Sequence, residues 1–513
     1  MNDLKKGFVF AMSDFINFLQ KVFIKSENLY KILLIKGLEG FRWRIGAWRA
    51  WKNFDITYRG VPAYNDFINK RGGLVVIPTN KLLPDFRVIP EMDKESYVKV
   101  YTNEQRVRGG ALPSRGVMID ESSGSSGKPT SWVRGWKERE ISKQMLQLSY
   151  NSVLGNENAI VINAFALGAW ATGLNVSMSL AEITVMKSTG PDIDKIINTM
   201  LEFGDKYHYI IMGYPPFLKS LADDDRIDWT KYRASVAYGG EGMSESQRDY
   251  LLKSFNSVFG SYGASDLEIN IAAENEFVIR LRKLILANEA LREDLVWTDL
   301  GITPMIFQYN PMAYYIETNE ESELLVTLAR TTNISPKIRY NIHDMGHVWR
   351  YPALWQIIKK HGLEKEFSDV PRILDLPLLF HYGRSDMSID YFGANVTPDS
   401  IREILFRHDK LAPKLNTFRL QSYVDKDKNT RMSLDVELSE GSKNDFDDAE
   451  ISQTVFNELA DVNRDFYNAY FNTAPDDMKP EFKIHEYNTG PFEGGQRKLK
   501  NEYVKTKLEY DNL

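Results

Sequence analysis

The sequence predicts an α/β fold, with a large N-terminal domain of helix-covered sheets and a β-rich section, then a smaller, mobile α+β domain. Strand-like apolar runs alternate with helix-like segments from residue 159 onward, and a denser set of short strands follows in 321–350. Residues 384–513 then run strand, helix, strand, helix. A chain of 513 residues also exceeds one ordinary core, so more than one domain is expected.

The alternation of strands and helices predicts most of the large domain. We expect strands at 75–77, 160–162, 209–212 and 235–238, and helices at 138–154, 192–203 and 244–255. Because strands joined by helices pair in the same direction, this order predicts a largely parallel sheet covered by helices. In the β-rich section we expect strands at 324–328, 337–340 and 347–350.

Residues 382–386 form the best domain boundary, because polar residues and a glycine interrupt apolar runs on both sides. We therefore expect a large domain over 1–383 and a small domain over 384–513.

Composition excludes several classes of function. The net charge is −6 and the pI about 5.8, so the chain lacks the basic excess that binds DNA or RNA. It has no cysteine, which excludes disulfides, Cys-ligated zinc, iron–sulfur clusters and a cysteine nucleophile. A cytoplasmic protein fits this composition, and the oligomeric state stays open.

The N-terminal segment is apolar in places, but no run approaches the ~20 residues that span a bilayer. No signal peptide with a small-residue cleavage site is evident. Residues 29–51 mix Lys and Arg with Leu, Ile, Phe and Trp, which is typical of a membrane-surface helix or of an amphipathic helix packed on its own domain. We expect the packed helix.

The most informative segment is rich in serine and glycine. It comprises Ser122, Ser123, Gly124, Ser125, Ser126, Gly127 and Lys128, followed by Pro129 and Thr130. Exposed backbone N–H groups, hydroxyls and one ammonium suit a polyphosphate. The alternative is a flexible linker, but the segment interrupts an otherwise globular stretch. The Walker A motif is disfavoured, because only two residues separate Gly124 from the Gly–Lys pair.

This segment resembles the phosphate loop of the adenylate-forming (acyl-activating) superfamily. Thr130, in place of the more usual Lys, is similar to the phenylacetate–coenzyme A ligase branch. Further motifs of the superfamily follow in family order from residue ~120 to ~500, and the ordered series is more specific than any one motif. The resemblance implies ATP as substrate, Mg²⁺ as cofactor, and coenzyme A or a phosphopantetheine arm as acceptor.

Two motifs would contact the adenine. Gly239, Gly240 and Glu241 resemble the Gly-Gly-Glu turn that presses its backbone on the ring, although the same residues also suit a β-to-α turn capped by Ser244. The segment 261–268 resembles the Tyr-Gly-x-Ser/Thr-Glu motif. The resemblance implies nucleotide contacts for Tyr262, Gly263, Ala264 and Ser265, and a metal ligand at Asp266, shorter than the usual Glu, or at Glu268.

The ribose contact is implied at Asp344, in a segment that resembles Tyr-x-Thr-Gly-Asp. Asn341 and His343 differ from the common Thr-Gly pair, and Asp344 could equally be a turn residue. Residues 383–386 match Gly-Arg-x-Asp. The match implies that Arg384 contacts ribose or α-phosphate and that Asp386 is the hinge between the two domains.

The catalytic lysine is implied in the C-terminal segment 494–500. Its Gln-x-Lys spacing, which also looks like plant acyl-acid amido synthetases, favours Lys498, and Lys500 is the close alternative. An ammonium there would stabilise charge on the phosphate during adenylation. A solvated basic tail is the other interpretation.

The acid pocket is implied by position alone. Its predicted lining is mostly apolar and so favours an aromatic or aliphatic carboxylic acid: Phe165, Gly168, Trp170, Gly173, Tyr214 and Pro215. The same residues could be core residues at strand ends.

The sequence therefore predicts ATP-dependent formation of an acyl-adenylate and transfer of the acyl group to coenzyme A or to a carrier-protein phosphopantetheine. An amine acceptor, as in amido synthetases, and a non-catalytic nucleotide-binding scaffold remain the alternatives. An acyl carrier protein is the partner that a phosphopantetheine acceptor implies.

Overall fold

A computed structural model describes most of the chain, in the following ranges: 2–23, 29, 34, 36–73, 76–122, 130–155, 158–297, 302–370, 373–384, 387–392, 394–424, 430–494 and 503–509.

The α-helices lie throughout the chain. They are α1 Asn2–Phe23, α2 Glu39–Gly60, α3 Pro62–Lys70, α4 Trp136–Val153, α5 Ala171–Leu180, α6 Ile193–Phe203, α7 Pro215–Ala222, α8 Glu245–Leu251, α9 Glu276–Ala287, α10 Glu289–Leu295, α11 Tyr351–Lys360, α12 Pro398–Arg407, α13 Asp448–Val462 and α14 Arg464–Tyr467.

The strands alternate with these helices. They are β1 Thr79–Asn80, β2 Leu83–Pro84, β3 Val117–Glu121, β4 Ser131–Gly135, β5 Ala159–Asn163, β6 Val185–Ser188, β7 His208–Gly213, β8 Arg233–Gly239, β9 Ser257–Tyr262, β10 Ala272–Ala273, β11 Met305–Tyr309, β12 Tyr314–Thr318, β13 Glu323–Leu328, β14 Tyr340–Trp349, β15 Leu378–Arg384, β16 Ile389–Tyr391, β17 Ala394–Val396, β18 Leu415–Val424, β19 Thr430–Leu438, β20 Glu481–His485 and β21 Val504–Glu509.

The chain divides into two compact units, each built from three stretches. Unit 1 comprises Met1–Gly190, Phe259–Leu281 and Ile306–His381, and unit 2 comprises Pro191–Val258, Arg282–Met305 and Tyr382–Leu513. The domain prediction of 1–383 and 384–513 stays a prediction.

Unit 1 carries the β-rich section. Its strands run in the order β12-β13-β14-β15-β11-β10-β9, with antiparallel pairing of β12 to β13, β13 to β14, and β10 to both β9 and β11. The β5 and β6 strands pair in parallel, and β3 and β4 form an antiparallel hairpin. Helix α2 buries Trp48 and Trp51 in this unit, which confirms the expectation of a packed helix for residues 39–51 of the predicted segment 29–51.

Unit 2 combines a parallel pair with the C-terminal sheet. Strands β7 and β8 pair in parallel and are buried along most of their length, as expected for strands covered on both faces. The C-terminal sheet has the order β20-β19-β18-β21, and α12 and α13 pack with it around a core that includes Leu405, Leu434 and Phe456.

The predicted α/β class is confirmed, and most predicted elements are present. Three predictions are wrong in detail. Residues 76–77 are not in a strand, since β1 begins at Thr79, and the two strands predicted at 337–340 and 347–350 are instead the single strand β14, Tyr340–Trp349. The predicted helix 244–255 ends early, at Leu251. Among the described helices, none is long and apolar enough to cross a membrane.

Candidate functional site

The serine-rich segment joins the two strands of the β3–β4 hairpin in unit 1. Val117 pairs with Gly135 and Glu121 with Ser131, and the Ser122 N–H donates to the Thr130 carbonyl at 3.1 Å. These contacts fix both ends of the segment. Ser122 is buried, and its hydroxyl makes no hydrogen bond with a described residue. The hydroxyl can therefore bond to a ligand or to another residue of the serine-rich segment.

Arg134, on β4, attaches the hairpin to the segment that carries Tyr262 and Asp266. Its guanidinium donates to the Leu267 carbonyl at 2.6 Å and to the Ser265 carbonyl, and it pairs with the buried Asp120 at 3.0 Å. A planar guanidinium with several donors holds two strands and a turn at once. The base of the serine-rich hairpin and the segment 262–266 are therefore neighbours.

The turn at Gly263 is too tight for a side chain. A Cβ on Gly263 would lie 2.5 Å from the Glu268 carbonyl oxygen, and Ala264 N–H donates to that same oxygen at 2.9 Å. The close backbone approach closes the turn 263–268 and sets the direction in which the two acids of the turn leave the backbone.

Tyr262 and Asp344 lie together in unit 1, together with His381. The Tyr262 hydroxyl donates to Asp344 Oδ2 at 2.7 Å, and the rings of Tyr262 and His381 have centroids 5.1 Å apart. His381 Nε2 lies 3.3 Å from Asp344 Oδ2, yet neither ring nitrogen makes a hydrogen bond with a described residue. This buried cluster offers a carboxylate, an aromatic face and an imidazole to a polar ligand.

Asp266 and Glu268 have different surroundings. Asp266 is half-buried and its Oδ2 accepts from the Tyr340 hydroxyl at 2.7 Å. Glu268 is buried and both of its oxygens are engaged, one by the Arg330 guanidinium and the other by the Tyr314 hydroxyl at 2.6 Å. The engagement of Glu268 weighs against it as a metal ligand.

A buried lysine completes this part of unit 1. The ammonium of Lys337 lies 4.9 Å from the centre of the Trp132 ring and 5.3 Å from that of Tyr340. Burial, and to a lesser degree the nearby Arg106, lowers the pKa of Lys337 to about 7, even though Asp266 acts to raise it.

The Asp344 segment departs from the Tyr-x-Thr-Gly-Asp pattern at two positions. Aligned on Tyr340 and Asp344, these are Ile342 and His343 in place of Thr and Gly, which corrects the expectation that Asn341 was one of them. His343 has φ +63°, the left-handed conformation that favours glycine. The Asn341 side chain accepts from the His343 N–H at 2.7 Å, so it supports the turn into Asp344.

The Gly-Gly-Glu turn lies in unit 2, at the end of β8. Gly240 has φ +81°, and Ser244 caps α8 by accepting from the Gln247 N–H at 3.1 Å. Both the turn and the cap interpretations of this segment therefore hold. Glu241 Oε2 accepts from the hydroxyl of Tyr503 at 3.2 Å.

Asp399, near the start of α12, packs in unit 2 against Gly383 of the Gly-Arg-x-Asp match and against Gly242, which follows the Gly-Gly-Glu turn. A Cβ on Gly383 would lie 2.7 Å from its Oδ2, and one on Gly242 would lie 3.0 Å from its Oδ1. Asp399 also pairs with Arg402, whose guanidinium lies 4.7 Å from the centre of the Tyr503 ring. The turns around 240 and 383 and the strand that follows the predicted lysine segment are thus joined within one unit.

Comparison with known proteins adds to this geometry. No protein-family model matches the chain. It is similar to the phenylacetate–coenzyme A ligase of Aromatoleum evansii, with 22% identity over 312 residues, which are 59% of this chain and 63% of that protein. The chain therefore spans less than two thirds of that relative's length.

Solved structures match over more of the chain. The structure of 2-hydroxyisobutyryl-CoA ligase in the postadenylation state, in complex with R3-HIB-AMP, has a TM-score of 0.62 at 12% identity and covers 90% of this chain and 89% of its own. An open conformation of that ligase with 2-HIB-AMP and CoA has a TM-score of 0.52 at 12% identity, with 90% of each chain covered. The chain therefore shares the fold of these ligase structures.

Several predicted site residues lie outside the described residues. These are Ser123, Gly124, Ser125, Ser126, Gly127 and Lys128 of the phosphate loop, the hinge Asp386, and the lysines Lys498 and Lys500. Their roles stay predictions, although both ends of the phosphate loop are placed by Ser122 and Thr130.

The residues predicted to line the acid pocket fall in both units. In unit 1, Phe165 and Gly173 are buried, Trp170 is half-buried and Gly168 is exposed with φ +89°. The Glu121 N–H donates to the Ala169 carbonyl at 2.9 Å, so this segment borders the phosphate-loop hairpin.

In unit 2, the predicted pocket residues Tyr214 and Pro215 are buried at the start of α7. Arg384 is exposed at the end of β15.

Sequence reasoning missed four residues that organise the candidate site. None of the four had been assigned a role in a motif, and each contacts a partner that is far away in sequence: Arg134, Tyr340, Lys337 and His381. A signal existed for His381, a histidine on the apolar strand that leads into the Gly-Arg-x-Asp match.

Proposed function

We propose that the protein activates a carboxylic acid with ATP, forming an acyl-adenylate, and then transfers the acyl group to the thiol of coenzyme A. The observation that carries the proposal is the buried cluster of Tyr262, Asp344 and His381, joined through Arg134 to the base of the serine-rich hairpin. A ribose-binding carboxylate, an aromatic ring and a phosphate-type loop are together what a nucleotide requires.

Asp344 is proposed to accept the ribose hydroxyls. Its carboxylate is buried and is oriented by the Tyr262 hydroxyl, so little reorganisation is needed when the ribose binds. Tyr262 would present its ring to the adenine, with Gly239, Gly240 and Glu241 as further adenine contacts and Arg384 at the ribose or α-phosphate. The nitrogens of His381, which make no hydrogen bond with a described residue, leave donor and acceptor capacity for the nucleotide.

The phosphates are proposed to bind the serine-rich segment from Ser122 to Lys128. Mg²⁺ bound to a nucleotide needs only one or two protein carboxylates, because phosphate oxygens and water supply the other ligands. Asp266 fits that need, since it is half-buried and its carboxylate is held only by a neutral phenol among the described residues. When bound, Mg²⁺ would neutralise charge on the departing pyrophosphate.

The first step joins the acid to AMP. A carboxylate oxygen of the acid attacks the α-phosphorus, the bond to the bridging oxygen breaks, and pyrophosphate leaves with that electron pair. Lys498, or Lys500 in its place, is proposed to stabilise the negative charge on the α-phosphate. The chain that follows these lysines returns at Tyr503, bonded to Glu241 of the proposed adenine turn, which supports their assignment to the nucleotide.

The second step transfers the acyl group. A thiolate attacks the acyl carbon, and AMP leaves with the phosphate oxygen. Coenzyme A is the proposed acceptor because a similar protein is a phenylacetate–coenzyme A ligase and a similar structure holds CoA. Apolar residues at the predicted pocket favour an aromatic or aliphatic acid.

Acid-dependent exchange of pyrophosphate into ATP, screened with a panel of aromatic and aliphatic acids, tests the first step. We expect exchange with at least one acid, a loss of at least a hundredfold in Lys498→Ala, and no change in Lys483→Ala, an exposed lysine on β20. Lys500→Ala is measured in parallel. If exchange is lost in Lys500→Ala but not in Lys498→Ala, the catalytic role is assigned to Lys500.

Outcomes that contradict the proposal are distinct. ATP binding without exchange for any acid would indicate a non-catalytic nucleotide-binding protein. Exchange followed by AMP release with amines but not with coenzyme A would indicate an amide-forming enzyme. Unchanged ATP affinity in Asp344→Ala would refute the ribose assignment.

A further inference from the structure

The first helix exposes a stripe of large apolar side chains. On α1 these residues recur at helical spacing and are exposed as follows: Leu4 84%, Phe8 55%, Phe15 54%, Phe18 63% and Val22 45%. Residues three, four or seven apart lie on one face of a helix. Single exposed apolar residues are ordinary, but a contiguous stripe with three phenylalanines marks an interaction surface.

The other side of α1 already packs against α2 in unit 1. Val9 and Ile16 are buried, and the rings of Phe10 and Trp51 meet edge to face at 5.7 Å. Lys6 pairs with Asp55 near one end of the helix. Of the stripe, Phe8 also touches this core, since its ring meets that of Trp48 edge to face at 6.4 Å. The large exposed fractions of Leu4, Phe15 and Phe18 leave the rest of the stripe facing outward.

Charge is distributed unevenly along the chain. Residues 1–52 contain ten Lys and Arg against four Asp and Glu, a net charge of +6 in a protein whose total is −6. On α1 itself, Lys5 and Lys21 are exposed near the two ends of the stripe. Lysines beside an apolar face reach anionic head groups while the face enters the boundary of the acyl chains.

We propose that α1 docks the protein on the surface of an anionic lipid bilayer, with the stripe inserted and Lys5 and Lys21 at the lipid phosphates. The helix has 22 residues and so extends about 33 Å along the surface. It lies on the bilayer and does not cross it, in line with the absence of a membrane-spanning helix among the described residues.

A second copy of the chain is the other partner that could cover such a stripe. An antiparallel pair of α1 helices would place Lys5 of one chain near Lys21 of the other, where like charges oppose association. An anionic surface reverses the sign of that interaction, so charge favours the lipid over the second copy.

Flotation of the full-length protein with vesicles tests the proposal. We expect binding to vesicles that contain phosphatidylglycerol, at least tenfold weaker binding to pure phosphatidylcholine, and release as salt is raised. Phe15→Ser/Phe18→Ser and Lys5→Glu/Lys21→Glu are each expected to lower binding at least tenfold. The matched control, Val185→Ser/Leu201→Ser, removes two other exposed apolar side chains and is expected to bind as the unaltered protein does.

Circular dichroism and pyrophosphate exchange verify that each variant is folded, since α1 has no place in the proposed nucleotide site. The proposal would be overturned if the unaltered protein did not bind anionic vesicles. It would also be overturned if the control variant lost as much vesicle binding as the stripe variant. Sedimentation velocity tests the remaining possibility. If the unaltered protein does not bind vesicles but forms a dimer that Phe15→Ser/Phe18→Ser dissociates, the stripe is assigned to a second copy of the chain.

Discussion

The two acids of the turn 263–268 provide a test that separates a structural carboxylate from a metal-binding one. We consider Asp266→Asn and Glu268→Gln, which remove one charge each and keep the shape of the side chain. Asparagine can still accept from the Tyr340 hydroxyl, whereas glutamine leaves the Arg330 guanidinium without its counter-charge. The two substitutions should therefore affect different properties.

The expected magnitudes follow from burial. The side chains of Arg330 and Glu268 are 9% and 6% exposed, and breaking a pair buried to that degree costs about 3 kcal/mol of stability or more. Burial acts to lower the pKa of Arg330, but Glu268 and Tyr314 together raise it above its usual range, so Arg330 keeps its charge. Asp266→Asn should cost less than about 1 kcal/mol, because its hydrogen bond survives.

The effect on Mg²⁺ should be the reverse. Loss of a charged ligand at Asp266 is expected to raise the Mg²⁺ concentration for half-maximal pyrophosphate exchange at least tenfold, equivalent to about 1.4 kcal/mol. Glu268→Gln should leave that concentration within about twofold of the unaltered value.

Urea unfolding followed by circular dichroism gives the stability, and exchange in a Mg²⁺ titration gives the metal requirement. The reasoning would be refuted if Glu268→Gln raised the Mg²⁺ requirement at native stability while Asp266→Asn left it unchanged.

Three further predictions concern single side chains. Tyr262→Phe keeps the ring but loses the 2.7 Å hydrogen bond to Asp344, so its ATP affinity, measured by calorimetry, should fall less than about tenfold. Tyr262→Ala also removes the ring and should lower the ATP affinity further. Equal losses of affinity in the two variants would exclude a role for the ring. Burial raises the pKa of Glu138 to about 7, from 4.5, although Arg134 opposes the shift. The native state therefore keeps a proton that the unfolded chain releases, and stability falls as pH rises from 4.5 to about 7. Glu138→Gln should shrink the decline between about pH 5 and 8 by about 3 kcal/mol in urea unfolding, and an unchanged decline would contradict the shift. A Cβ on Gly173 would lie 2.0 Å from the Ala166 carbonyl oxygen, so Gly173→Ala should lower the thermal midpoint by several degrees; native stability would mean that the segment yields without cost.

Local patterns predicted the elements whose signals are local. The apolar runs at 160–162, 209–212 and 235–238 became β5, β7 and β8, because buried parallel strands read as continuous apolar stretches. The cap at Ser244 followed from its hydroxyl and its place before a helix. These inferences needed no knowledge of distant residues.

The β14 strand shows where local patterns fail. His343 takes a left-handed conformation in its middle, and the register against β13 shifts between Glu323 and Leu325. A bulge of this kind breaks the two-residue alternation that identifies a strand. One strand of ten residues was therefore predicted as two short pieces.

The candidate site likewise contains residues that local patterns predicted and residues that they did not. Tyr262 and Asp344 were recognised from short motifs, and the structure brings them to 2.7 Å. Arg134 is 131 residues from Ser265, and Glu268 is 62 residues from Arg330. Such partners depend on packing between distant segments, which a single sequence does not reveal.

The bond between Tyr503 and Glu241 affects how C-terminal deletions are interpreted. Tyr503 directly precedes β21, which forms an edge of the four-stranded sheet by pairing with β18. A protein shortened to residue 502 would lose this edge strand as well as the phenol that bonds to Glu241. Inactivity after such a truncation would therefore report lost anchoring as much as lost chemistry, and only point substitutions separate the two.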